Sequence, residues 1–282
     1  MGRKEKEMIN VSYGPDIRQR YDVWFPDVYY STTPIVLLVH GGAFVAGSKD
    51  DFTPFARTFR SLGFVAVNIG YRLVDTTGMF GTARRHHRSK VSIRDQVQDL
   101  DSAIRHFQGS ANGWSSATRQ MFLAGHSAGG TLALLCSYNT TSRHDIRACA
   151  NWAGGTDLSV PDDRIAAMLS SYMQELLFRA VGALPAVSNN YIYREVSPYW
   201  VISSNPRDIP VISIYPEFNQ VFHYPGESEI GLFQTRQMHR LLKARQIKEA
   251  LIVYKGSNHS FTGPGTREKV IAETAAFFRS VL

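Results

Sequence analysis

Short apolar runs alternate with longer amphipathic stretches along this chain. Ile35-Val-Leu-Leu-Val39 is a continuous apolar run that stops at His40-Gly41-Gly42. Strands buried on both faces of a parallel sheet leave such runs. Phe64 to Ile69 and Met121-Phe-Leu-Ala124 are two more. An alternating stretch, Arg20 to Phe25, precedes them, and Arg147–Trp152, Pro210–Tyr215 and Ala250–Tyr254 complete the set. Between strands, Val97, Leu100, Ile104 and Phe107 recur at steps of three and four, which predicts a helix from about Ser92 to Gln108. Helices are also expected over 128–138, 232–244 and 269–282. This order predicts an α/β fold: a mostly parallel central sheet, covered by helices on both faces through right-handed crossovers.

One interval breaks the alternation. About 50 residues separate the strand ending near Trp152 from the one at Pro210, and a structureless loop of that length is uncommon in a compact domain. Within it, Ile165, Met168, Leu169, Tyr172, Met173, Leu176 and Leu177 recur at helical spacing. The reading is a single domain over 1–282 with a helical cap inserted at 159–207, between strands 6 and 7 of the fold. Its Met, Leu, Phe and Tyr side chains are expected to contribute an apolar substrate pocket.

Composition narrows the class. Of 282 residues, 44% are hydrophobic and 12% aromatic, which suits a large core and excludes overall disorder. No run of 18 apolar residues occurs, so no membrane span is expected. The stretch Met1–Met8 has no apolar signal region, and the expectation is a cytoplasmic protein. Cys136 and Cys149 make no disulfide framework, and no metal-type Cys/His spacing appears; both read as small buried hydrophobes. The net charge is +7, and the one dense basic cluster is Arg84, Arg85, Arg88 and Lys90 with His86 and His87. It has no interleaved aromatics, so it reads as a solvated loop and no nucleic-acid partner is expected. Asn10, Asn139 and Asn258 head glycosylation-type triplets that read as chance matches.

Chemistry concentrates at three places. Gly125-His126-Ser127-Ala128-Gly129 follows an expected strand and precedes an expected helix. That is the setting of a nucleophile elbow, in which a sharp turn lifts the serine hydroxyl above the sheet. His40-Gly41-Gly42-Ala43-Phe44 frees backbone N–H groups toward a cavity. Those near Gly42 and Ala43, with the amide of Ala128 after the nucleophile, form a candidate oxyanion hole. His259, in Gly256-Ser-Asn-His-Ser-Phe261 after the last strand, is the candidate general base. His40 reads as an orderer of the glycine turn, and His126 as the variable position of the elbow.

These residues resemble an α/β-hydrolase of the carboxylesterase/lipase type, close to the hormone-sensitive-lipase-like and arylformamidase-like groups. The match runs through His40–Phe44, Tyr71–Leu73, Gly125–Gly130, Thr156–Leu158, Ser197-Pro198 and Asn258–Phe261. The resemblance implies the α/β-hydrolase fold and serine-dependent ester or amide hydrolysis without a cofactor or metal.

The acid departs from the family pattern. The family carries aspartate in the turn after the seventh strand, and here that slot falls on Asn219 in Tyr215-Pro216-Glu217-Phe218-Asn219. An amide accepts a hydrogen bond from imidazole but cannot balance an imidazolium, and in serine proteases Asp-to-Asn costs about 10⁴ in turnover. Glu217, two residues earlier and with a longer arm, is favoured over Asn219 as the functional acid; Glu227 or Glu229 folding back, with Asp157 as a further stand-in, is a second explanation, and a weakened triad is the third. The leading function is a carboxylic ester hydrolase acting through an acyl-enzyme on Ser127. An arylformamidase-like amidase, a natural-product hydrolase or cyclase, and a non-catalytic binding protein on this scaffold stay open. The partner is a small-molecule ester or amide. A homodimer through an edge strand or the last helix also stays open.

Overall fold

The computed structural model describes residues 7–79, 87–110, 120–139, 144–160, 162–221 and 224–282. Arg84, Arg85 and His86 of the basic cluster, and Thr140 and Thr141 of the second glycosylation-type triplet, lie outside them.

Eight strands form one sheet: β1 (Glu7–Ser12), β2 (Arg20–Trp24), β3 (Ile35–Val39), β4 (Val65–Ile69), β5 (Met121–His126), β6 (Ile146–Trp152), β7 (Val211–Phe218) and β8 (Glu249–Asn258). Their order is β1-β2-β4-β3-β5-β6-β7-β8. β2 runs antiparallel to β1 and β4, and all other pairs are parallel. Strand β1 is an addition to the seven runs read from the sequence. Its residues are mostly exposed, its pairing shifts register between Met8 and Val11, and Asn10 sits at φ 58°. An exposed, bulged edge strand has no buried face to impose a period-2 pattern.

Side-chain alternation sorts the core into two layers. Ile35, Leu37 and Val39 of β3 face one apolar cluster, and Val36 and Leu38 face the other. Helix α2 (Ile93–Ser110), α3 (Ala128–Ser137) and α8 (Glu227–Ala244) cover the first face with Leu100, Ile104, Leu132, Met238 and Leu242. Helix α1 (Thr53–Ser61) and α9 (Thr266–Arg279) cover the second with Phe59, Ile271 and Phe278. Small strand residues on that face, Ala124, Ala148 and Ala150, leave room for Phe52, Phe55 and Phe59 to stack around Trp152. Helix α1 escapes the sequence pattern because only Ala56 and Phe59 of its nine residues are buried. Cys136 and Cys149 are free and buried.

Between β6 and β7 the chain forms α4 (Asp163–Met168), α5 (Ser171–Val181), α6 (Asn190–Arg194) and α7 (Pro198–Ser203). Ala180, Val181, Tyr193 and Ile202 join the same apolar cluster as α2 and α3. Arg179, 2% exposed, ties this segment to the loop after β4. It donates to Glu175 at 2.6 Å and to the carbonyls of Asp75 and Thr77 at 2.9 and 2.8 Å. Removing one member of a buried, hydrogen-bonded ion pair costs about 3–5 kcal/mol. Arg179→Met is therefore expected to lower the unfolding free energy by about that amount in urea denaturation. A loss below about 1 kcal/mol, the scale of an exposed pair, would show that the guanidinium is not the tie.

Candidate active site

The turn from β5 into α3 is built on close backbone approach. A Cβ on Gly125 would lie 2.2 Å from the Gly129 carbonyl, and one on Gly129 would lie 2.2 Å from the Val39 carbonyl. Ser127 between them has φ 55° and ψ −127°, a conformation that costs a non-glycine residue about 1–3 kcal/mol. The surroundings hold it there. Its N–H donates to the Trp152 carbonyl at 2.8 Å, and its own carbonyl accepts from Gly130 at 2.9 Å. Ser127 caps the N-terminus of α3, where unpaired amides and the helix dipole favour negative charge.

The turn after β3 packs against this elbow. A Cβ on Gly41 would meet the His126 carbonyl at 2.9 Å and the Ser127 Cβ at 3.1 Å. Gly42, Ala43 and Phe44 follow at φ 116°, 51° and 69°. The Gly42 carbonyl closes the turn by accepting from Val45 and Ala46. Ala43 and Ala128 line one cavity with Ser127. His40 orders the turn: Nδ1–H donates to the Gly41 carbonyl at 2.8 Å, and the ring stacks on Tyr71 at 4.2 Å. Burial pushes its pKa down to about 4.

His259 follows β8, and Asn219 follows β7. Phe218 pairs with Asn258 in the sheet, so the two residues beyond them emerge side by side. His259 Nδ1–H donates to Asn219 Oδ1 at 2.5 Å. This bond leaves Nε2 unprotonated, the form a general base needs. Burial, with a smaller effect of His126, pushes the His259 pKa down to about 3. The ring is therefore neutral throughout the ordinary pH range.

The acid expected at Glu217 is not brought to this imidazole. Its carboxylate accepts from Lys255 Nζ at 2.9 Å and Gly256 N–H at 2.8 Å, and those donors hold its pKa below the usual carboxylate range. Asp157 accepts from Ser159 and from Trp200 Nε1, a structural tie. Glu227 lines the cavity and accepts from the Val221 amide at 2.8 Å, and Glu229 lies with it in the first turn of α8. Among these candidates the group that meets His259 Nδ1 is Asn219.

Two contributors went unread in the sequence. His126 Nε2–H donates to the His259 carbonyl at 2.7 Å, and the two rings lie 4.8 Å apart. The elbow's variable position thus pins the loop that carries His259. Tyr215 lines the cavity and donates its hydroxyl proton to the Ser228 carbonyl at 3.0 Å. Burial pushes its pKa up to about 12, so the hydroxyl stays protonated. A signal existed in the sequence: Gly231 interrupts the polar–apolar pattern of α8. A Cβ there would lie 2.3 Å from the Tyr215 hydroxyl.

Ser127, His259 and Asn219 share a cavity of about 160 Å³ walled by Phe44, Leu158, Tyr215 and Tyr224. Its lining includes no residue of α4–α7. The apolar wall expected from the inserted helices comes instead from Phe44 after β3, Leu158 after β6, Tyr215 of β7 and Val221 and Tyr224 beyond it, while Ala180, Val181, Tyr193 and Ile202 of the insertion lie in the core. Among the described residues, no group of three or more His, Cys, Asp or Glu side chains could hold a metal ion. No described helix is long and apolar enough to cross a membrane.

Comparisons with known proteins agree with this architecture. Esterase B from Lactobacillus rhamnosis, inhibited by a tributyrin phosphonate, superposes with a TM-score of 0.73 at 16% identity, over 98% of this chain and 85% of that one. Thermogutta terrifontis esterase 2, phosphoramylated by tabun, gives 0.71 at 19% identity, over 99% and 96%. At such identities the likeness is one of fold. Kynurenine formamidase of Salmo salar is 27% identical over 139 residues, which is 49% of this chain and 41% of that protein. A probable isoprenylcysteine alpha-carbonyl methylesterase of Oryza sativa subsp. japonica is 22% identical over 94% of this chain. The chain spans 60% of that methylesterase. The family model BD-FAE matches residues 21–214. With its strand order, its serine elbow and this match over more than half its length, the chain belongs to the BD-FAE family of α/β-hydrolases.

Proposed function

We propose that this protein is a serine hydrolase that cleaves carboxylic esters with short acyl groups. The observation that carries the reading is the strained Ser127 elbow, opening onto one cavity with a neutral His259 whose Nδ1–H is held by Asn219. Ser127 Oγ attacks the ester carbonyl as its proton passes to His259 Nε2. Amides near Gly42 and Ala43, with that of Ala128, take the oxyanion. His259 then gives the proton to the departing alcohol, and water, deprotonated by the same nitrogen, releases the acid. The chain 1–282 works as one hydrolase domain, with 159–207 as its helical insertion.

A cavity of about 160 Å³ suits an acyl group of a few carbons. Turnover of p-nitrophenyl acetate and butyrate is expected to exceed that of the octanoate at least tenfold in kcat/KM. Preference for formanilide over every ester would overturn the ester reading in favour of a formamidase, the activity named for the Salmo salar relative. No turnover of either class by folded protein would leave a binding role.

Asn219 has a consequence for pH. With no carboxylate beside it, His259 gains nothing from being protonated. Asn219→Asp supplies that charge, and an opposite charge in contact raises a histidine pKa by about 1–3 units. The acid limb of kcat/KM is expected to move up by more than one pH unit, and kcat to rise about 10–100-fold. An unmoved limb would show that His259 is not the titrating base.

A further inference from the structure

The cavity that holds Ser127 and His259 has a sign as well as a size. Among the described residues its lining carries two carboxylates, Asp157 and Glu227, and neither lysine nor arginine. His259 adds no positive charge, because burial keeps its ring neutral. The chain as a whole is +7, so composition does not account for a negative cavity. The donors to Asp157 are neutral. Oδ1 accepts from the Ser159 N–H at 2.9 Å and from its hydroxyl at 2.6 Å, and Oδ2 accepts from Trp200 Nε1–H at 3.1 Å. Such bonds favour the ionised carboxylate without cancelling its charge. Arg194 lies over the Trp200 ring, 4.1 Å from its centre, and is not part of the lining. Glu227 is only 7% exposed and accepts from the Val221 N–H at 2.8 Å.

That bond ties Glu227 to the segment carrying Asn219, which in turn holds His259. The charge therefore belongs to the imidazole side of the cavity, where the alcohol departs. Phe44, Tyr215 and Tyr224 supply aromatic wall to the same cavity. A primary ammonium has three N–H donors to satisfy and would give up water for rings. A quaternary ammonium has none. Its methyl groups pack on aromatic surface, and its charge is drawn both to carboxylates and to the ring electrons. We propose that the cavity selects esters whose alcohol carries a quaternary ammonium group, with Glu227 and Asp157 setting the preference. The cation takes no part in the bond changes: Ser127 keeps the acyl group, and the alcohol leaves with the proton from His259. The proposal rests on the reading of Ser127 and His259 as nucleophile and base.

The test compares acetylcholine with neohexyl acetate, its uncharged carbon isostere. In the native protein kcat/KM is expected to favour acetylcholine about tenfold at low ionic strength, the worth of one partly desolvated cation–π contact. Salt is expected to shrink that ratio, because it screens the carboxylates. Glu227→Gln keeps an oxygen for the Val221 N–H and is expected to lower the ratio about threefold. Adding Asp157→Asn is expected to bring it close to one. Ligand-observed NMR is expected to show choline binding to the native protein in preference to neohexanol, with the preference lost in the double variant. Turnover of both esters at equal kcat/KM by the native protein would overturn the proposal and leave the ester reading standing. So would a ratio that neither substitution changes in folded protein. Preferential choline binding that the double substitution removes, in a protein that turns over neither ester, would uphold the cation subsite and overturn the reading of Ser127.

Discussion

Ser127→Ala is expected to reduce kcat toward a short-chain ester by at least a hundredfold and at most about 10⁶-fold. The upper figure is the loss seen when a serine hydrolase with a full triad loses its nucleophile. The lower one applies if Asn219 already forgoes the whole share of a charged acid, about 3 × 10⁴ in that system. The measured value thus reports how well an oriented amide replaces a carboxylate. Folding is expected to be unchanged, because alanine keeps the Cβ and the φ of 55° that Ser127 already has. His259→Ala is expected to fall as far, and the double variant no further, because the two residues act as one unit. Thermal denaturation alongside ester kinetics checks both statements.

Acid is expected to destabilise the fold steeply, well above the pH at which carboxylates titrate. Burial lowers the pKa of His40 to about 4 and of His259 to about 3, against an unfolded value of 6.5. Below pH 6.5 the unfolded chain binds protons that the folded chain refuses, so stability falls as pH falls. Each such histidine costs about 1.4 kcal/mol per pH unit in that window. Two of them over two units, from pH 6.5 to 4.5, amount to about 5 kcal/mol. Burial lowers His126, His144 and His239 as well, and they add to the loss in the same direction. Urea denaturation at pH 7 and pH 4.5 measures the difference. His40→Gln would remove its share of the slope. A flat stability between these pH values would show that the buried rings do not resist protonation.

Sequence and structure agree where one strong signal decides the outcome. Ile35–Val39 could be read as a buried strand because both its faces are covered, and Gly125–Gly129 as an elbow because backbone contacts leave no room for Cβ atoms. Strand β1 and helix α1 were hidden because an exposed edge and a helix with two buried residues impose little pattern. The family's acid slot falls on Asn219, but along the chain Glu217 is favoured over it for its longer arm; in the structure it is Asn219 that meets His259. What separates them is a shift in β7–β8 register between Pro216 and Phe218, and the pull of Lys255 and Gly256 on the glutamate. Neither is visible along the chain. His126 and Tyr215 were missed for a related reason. Each acts through a hydrogen bond to a distant segment, and only folding brings His126 to His259 or Tyr215 to Ser228.

The most direct test of the central claim is intact-mass labelling with a fluorophosphonate, on the native protein and on Ser127→Ala. The reagent bonds only to a serine whose hydroxyl is activated by a neighbouring base. The account predicts one rapid adduct on the native chain and none on the variant. No adduct on folded native protein, or an equal adduct on Ser127→Ala, would contradict it.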